Sequence, residues 1–246
     1  MAAAMGTGTD TGTTDRVMTD TASRVPPALL RLMQLVSPSL PVGAFTYSQG
    51  LEWAVEAGWI GDADDTERWL SDELWATLAH LDLPVAARMM ASVAAGDRDA
   101  LAHWVDLLLA GRESAELRAE ERQRGRAMAD LLRVWDLPGN TEWRLLLAQS
   151  QTAGFAFAAE RWHIPVADAL GGLAFAWAEN LVLAAVKAVP LGQSDGQRAL
   201  ARIAAQVPGA VALALALADD DIGAASPALA IASARHERQY TRLFRS

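Results

Sequence analysis

Between Pro165 and Pro190 the chain carries one long apolar run, Val166 to Val189, built largely from small residues. Ala169, Gly171, Gly172, Ala174, Ala176 and Ala178 fall in its first half. A helix apolar on every side has no face for water and must be enclosed by other elements. Small side chains let those neighbours approach closely. The run is therefore expected to be the central helix of a helical domain.

The flanking sequence repeats helical spacing and supplies its punctuation. Pro26-Pro27 opens a helix with Leu29, Leu30, Met33 and Val36 at helical intervals. A second is expected from near Thr46 or Ser48 toward Ala57, stopped by Gly58. Leu70, Leu74, Leu78 and Leu81 line a third, after the capping carboxylates of residues 61–65. Pro84 is expected to start another, closed near Gly96, and Leu101, Trp104, Val105 and Leu108 mark the next, capped by Gly111. Residues 112–126 mix arginine and glutamate, which predicts a solvated face with i, i+4 pairs. Thr141 is expected to cap the helix after the turn at 137–141, and Ser194-x-x-Gln197 to form a capping box. Pro208 interrupts the helix that follows, and Ser226-Pro227 starts the final one. No alternating apolar and polar run is long enough for a strand. The reading is an all-α fold, a single compact multi-helix domain over residues 25–246 with about nine to eleven helices. Residues 1–24, rich in Thr, Gly, Asp and Ala, read as a flexible, disordered N-terminal tail.

Composition narrows the function. Hydrophobic residues make up 52% of the 246, enough for a sizeable core, and the formal net charge is −9, so no general field attracts nucleic acid. The chain has no cysteine, which removes disulfides, thiolate nucleophiles and thiolate metal sites together. No secretory signal is visible in residues 1–24. The charge-free run from Ile203 to Ala218 is shorter than the roughly 20 residues of a membrane span, so it reads as buried helix. The expected location is cytoplasmic, with no membrane and no nucleic acid among the partners.

No catalytic or metal constellation stands out. His80, His103, His163 and His236 are scattered, without the spacing of a metal motif, and there is neither a nucleophile elbow nor a phosphate loop. No catalytic residue, metal ligand or cofactor site is assigned. Three segments stand out instead. Ser37 to Glu52 holds Pro38, Pro41, Gly43, Phe45, Ser48, Gly50 and Glu52, and its apolar residues predict that it packs inward. Lys187, the only lysine, sits at the end of the apolar run, just before Pro190-Leu-Gly192. It reads as a cation that caps the helix, or as one presented to a partner. Arg235 to Ser246 sets four arginines and one glutamate beside Tyr240, Leu243 and Phe244. Such a segment is expected to insert into a partner or to fold back on its own domain.

These three segments resemble signatures of the UreF family of urease accessory proteins. They are Ser37–Glu52, Lys187-Ala-Val-Pro-Leu-Gly-Gln-Ser-Asp-Gly-Gln197 and Arg235–Ser246. The resemblance spans roughly residues 28–246, and the parts between the segments, residues 60–160 above all, match only in helical character; residues 1–24 do not match. It implies a homodimeric scaffold that recruits the accessory protein UreD/UreH and the GTPase UreG and promotes nickel delivery to apo-urease. It implies that Ser37–Glu52 is a structural signature at the dimer and partner-facing region. It implies that Lys187, Gly192, Gln193 and Gln197 lie near the GTPase surface, and that Arg235, His236, Tyr240, Arg242, Phe244 and Arg245 grip UreD/UreH. Two alternatives stand beside this reading: a direct nickel-binding carrier using His236 and neighbouring carboxylates, and an all-α hydrolase.

Overall fold

A computed structural model describes residues 1–3 and 25–246. The tail expected over residues 1–24 falls, apart from those three residues, outside the described residues. Among the described residues there is no strand, and twelve α-helical segments account for the fold. They are α1 (Pro27–Leu35), α2 (Leu51–Glu56), α3 (Ala63–Glu73), α4 (Leu83–Ala95), α5 (Arg98–Ala110), α6 (Ala115–Val134), α7 (Asn140–Leu147), α8 (Gln151–Arg161), α9 (Val166–Ala188), α10 (Gln193–Ala204), α11 (Val207–Ala216) and α12 (Pro227–His236). Because α3 and α4 run on without a break, the separate helices fall within the expected range.

Side-chain caps set most of the starts. Asp62, Asp97, Ser114, Ser150 and Ser226 each accept a backbone N–H three residues ahead, at the heads of α3, α5, α6, α8 and α12. Gly96 ends α4 in the left-handed conformation, φ 71°. Four boundaries differ from expectation. The second helix starts at Leu51, because Gln49 (φ 52°) and Gly50 (φ 82°) are both left-handed and no helix passes through them; Ala44–Thr46 makes a separate 3-10 turn. Thr141 lies inside α7, whose entry is Gly139 at φ 82°. Ser194 lies inside α10, which begins at Gln193 behind Gly192, with no side-chain cap.

Pro84 starts nothing. The chain passes from α3 through a π-helical stretch, Leu74–Asp82, straight into α4. A proline inside a helix leaves the carbonyl four residues back without its donor. That carbonyl belongs to His80, and it accepts the Gly223 N–H from another part of the chain at 3.0 Å. The wider π turn and this outside donor together carry the helix across the proline.

Two apolar clusters fill the interior. Val85, Met89, Leu108, Met128, Leu132, Phe155 and Phe157 belong to one, formed around α4, α5, α6 and α8. Leu51, Leu70, Leu74, Ala174, Ala178, Ile203 and Ala210 belong to the other, around α2, α3, α9, α10 and α11. As expected, α9 is central: it packs against α1, α2, α3, α4, α8, α10 and α11. It and the Gln193–Ala216 stretch are long and apolar enough to cross a membrane, each with an 18-residue window of mean hydropathy 1.6, and α9 is partly covered by those seven helices.

The arginine–glutamate stretch is only partly the solvated face expected: Glu113, Arg122 and Arg126 are exposed and Arg124 pairs with Glu120 at i, i+4, but other members turn inward. Glu120 and Glu121 are 3% and 6% exposed. Arg112 lies between Asp82 and Glu121, with Nη1 3.2 Å from Asp82 Oδ2 and Nη2 3.2 Å from Glu121 Oε2. Burial alone would lower the Arg112 pKa, but the two carboxylates outweigh it and hold the guanidinium charged. Burial would likewise raise Glu121. Arg112, the Ser150 hydroxyl and the Thr152 N–H outweigh that and hold its carboxyl below the usual range. Glu121 thus pins the start of α8 to α6.

The same pair of helices meets at Gly125. A Cβ there would lie 2.7 Å from Ser150 N and 2.9 Å from Ser150 C, backbone atoms that no rotamer change can move. Gly125→Ala is expected to destabilise the fold by about 2–3 kcal/mol, read as a lower denaturant midpoint; an unchanged midpoint would show that α6 and α8 can separate freely.

Candidate functional site

The three segments singled out in the sequence meet on one side of the molecule. Val42, Tyr47, Ser48, Gly50 and Glu52 are buried, so most of the Ser37–Glu52 stretch packs inward as expected. Phe45 does not. It is 61% exposed, beside the exposed Pro38 and Pro41, because the left-handed turn at Gly43 (φ 73°) swings the 3-10 turn outward. Gly50 is required for space as well as conformation: a Cβ there would come within 2.8 Å of the Ser233 N–H nitrogen on α12.

After α12 the chain turns back and lies along this stretch, so the fold-back alternative holds. Ser48 N donates to Ser246 O at 2.6 Å, and Ser48 Oγ donates to the same oxygen at 2.5 Å. Arg245 N donates to Thr46 O at 2.7 Å. The Glu52 carboxylate accepts the Leu243 N–H at 2.6 Å and the Phe244 N–H at 3.0 Å. Its Oε2 also lies 3.1 Å from His236 Nε2. The other ring nitrogen of His236, Nδ1, is 2.8 Å from Glu116 Oε2, and Arg242 donates to Glu116 Oε1 at 2.7 Å. Both ring nitrogens of His236 thus face carboxylate oxygens. Ser246 Oγ donates to Glu120 Oε2 at 3.2 Å, and Gln49 and Arg124 donate to Glu120 Oε1.

This network sorts the assigned residues. His236 and Phe244 are buried and hold the segment down. Tyr240 and Leu243, 104% and 68% exposed, face solvent, as do Arg235 and Arg245. Lys187 is exposed at the end of α9, with its Nζ 5.7 Å from the centre of the Phe244 ring. The candidate GTPase contact and the candidate UreD/UreH contact therefore touch. Gly192, Gln193 and Gln197 are exposed at the start of α10 and take no part in the network. Sequence reasoning missed Glu116 and Glu120. Their spacing, one turn apart on α6, puts both on the face that receives the segment, but that spacing reads equally as a solvated row.

Among the described residues, no three His, Asp or Glu side chains are grouped to hold a metal ion. Both ring nitrogens of His236, the histidine invoked for a nickel carrier, lie within hydrogen-bond distance of Glu52 and Glu116 while the segment is docked. What the geometry presents is a surface: a docked, backbone-tethered segment with aromatic, apolar and cationic side chains standing out from it. That arrangement defines an all-helical protein with a docked C-terminal segment.

Comparison with known proteins gives the family. A sequence model of the UreF family matches residues 60–204. A protein of Alcanivorax borkumensis named urease accessory protein UreF is 53% identical, over 89% of this chain and 98% of its own length. Proteins of the same name from Pseudomonas putida W619 and Escherichia coli O157:H7 are 54% and 47% identical, covering 98% and 99% of their lengths. The chain belongs to the UreF family.

Glu52 is the centre of the site, and its removal should show it. Glu52→Ala leaves two backbone N–H groups and His236 without their acceptor and is expected to cost about 3 kcal/mol. Amide exchange in residues 237–246 should rise with it. Protection that survives the substitution would move the tether elsewhere.

Proposed function

We propose that this protein is a urease maturation scaffold and not an enzyme. It acts as a homodimer in the cytoplasm, binding UreD/UreH and the GTPase UreG so that nickel is delivered to apo-urease. Family membership supports the role in urease maturation. One observation favours the named surfaces: the docked C-terminal segment spends its backbone, His236 and Phe244 on its own domain while Tyr240 and Leu243 stay in water. Exposed Tyr and Leu on an ordered segment have no use within the fold, whereas Tyr is a favoured anchor at interfaces. Lys187, at the edge of the same patch, would then lie where UreG can meet it, with Gly192, Gln193 and Gln197 beyond the Pro190 break. Contact between Lys187 and Phe244 would let one partner's binding be felt by the other's site.

Two variants separate the roles from folding. The double variant Tyr240→Ala, Leu243→Ala removes only exposed side chains, so its melting temperature should match the parent's. Its affinity for UreD/UreH should fall by about thirtyfold or more, the loss of one strong anchor. Intact capture by UreD/UreH would refute the assignment. Lys187→Ala should likewise fold normally yet recruit less UreG in a pull-down. Loss of folding instead would make that lysine a helix cap and nothing more.

A further inference from the structure

α12 is fastened at both ends to carboxylates on other helices, and the two fastenings differ. At its C-terminal end His236 meets Glu52 and Glu116, with Arg242 also on Glu116. Its N-terminal end hangs on one hydroxyl. Ser226 Oγ accepts the Leu229 N–H at 3.3 Å, capping the helix, and donates to Glu73 Oε1 at 2.5 Å. Glu73 closes α3 at the point where the π-helical stretch begins.

The surroundings of Glu73 are wrong for a charged carboxylate. Its side chain is buried, 4% exposed, and Oε2 has no hydrogen-bond partner among the described residues. No cation faces it. Asp72 lies on its own helix and Glu113 just before α6, both acidic. From the side of α9 the cavity beside it receives Trp177 and Leu181, which carry no charge. Arg112 and Asp82 also line that cavity, but they are engaged with each other, and Arg112 with Glu121 as well. Arg202, the cation α10 offers to α3, is engaged with Glu67. A carboxyl so placed is stable when neutral and unstable when ionised. Burial pushes its pKa from an ordinary 4.5 up to about 7; the Ser226 hydroxyl opposes the rise, and Asp72 and Glu113 add to it.

We propose that Glu73 is a proton-controlled latch for α12. While its carboxyl is neutral, the Ser226 cap seats on it, and α12 with residues 237–246 lies closed. Loss of the proton drives the carboxylate toward water, frees Ser226, and loosens α12 together with the segment behind it. The latch goes beyond the partner assignments and does not depend on them.

The direction follows from which state prefers the proton. Release of α12 exposes Glu73 and restores its ordinary pKa. Below about pH 4.5 open and closed states both hold the proton, and closure is at its strongest. Between 4.5 and 7 the open state ionises first, so closure weakens as pH rises. Well above 7 both states are ionised and the weakening is complete. From about pH 6 to about pH 8 the opening equilibrium should grow about tenfold.

Amide hydrogen exchange on the full chain tests this, with each rate divided by the intrinsic rate at its pH. In residues 227–246, protection should fall about tenfold between those two pH values, while α6 and α8 hold theirs. Glu73→Gln keeps an acceptor for Ser226 and cannot ionise, so its protection should stay the same at both. Equal protection in the parent protein at the two pH values overturns the latch. So does a Glu73→Gln variant that loses protection as the parent does, which would place the dependence on His236 and its carboxylates. If Glu73→Gln fails to fold, Ser226→Ala carries the test: it should show low protection at both pH values, and a surviving pH-dependent fall overturns the proposal.

Discussion

A single carboxylate joins the two ends of the described chain. Glu52 accepts the N–H groups of Leu243 and Phe244 and meets His236, residues more than 180 positions away along the sequence. The segment it holds has no helix or strand of its own to satisfy its backbone. Buried N–H groups without acceptors would cost about as much as lost hydrogen bonds, so the docked form exists because Glu52, Thr46, Ser48 and Glu120 supply partners. The shape of the loop serves this end. Left-handed turns at Gly43 and Gly50 bring Thr46, Ser48 and Glu52 to one side, and the bare Gly50 lets α12 lie against the loop.

α6 connects this surface to the interior. Glu116 and Glu120 receive the C-terminal segment, while Glu121, on the adjoining face, reaches Arg112 and the start of α8. One helix therefore carries charge both to the rim and to the core. Its buried ions are matched: Arg112 with Asp82 and Glu121, Arg124 with Glu120. Pairs of this kind add little net stability, but removing one member leaves an uncompensated charge inside. Such a network favours one arrangement of α6 over its neighbours.

Much of the fold was legible from local signals. The small-residue run predicted α9 as the central helix, and Ser226-Pro227 and Gly96 marked boundaries that the structure keeps. What escaped depends on contacts between distant residues. Pro84 reads as a helix start until the Gly223 donor on His80 is known. Residues 112–126 read as a solvated row because Asp82 and Ser150, their buried partners, lie far off in sequence. Phe45 was expected inside on its apolarity alone and was turned out by Gly43. At the site, His236 and Phe244 were found by their own chemistry, while Glu116 and Glu120, which receive the segment, were not. The family match runs over residues 60–204, whereas two of the three motifs lie outside it. The shared helical framework and the short motifs thus point to the same family from different parts of the chain.

The long reach of the Glu52 contacts bears on how the protein is made. Residues 243–246 leave the ribosome after every group they bind, because Thr46, Ser48, Glu52 and Glu120 all precede them. A nascent chain can assemble α2 to α11 around α9 while the groove along residues 46–52 is still bare. Each new copy therefore passes through a stage in which that groove is vacant and its hydrogen-bonding groups are met by water.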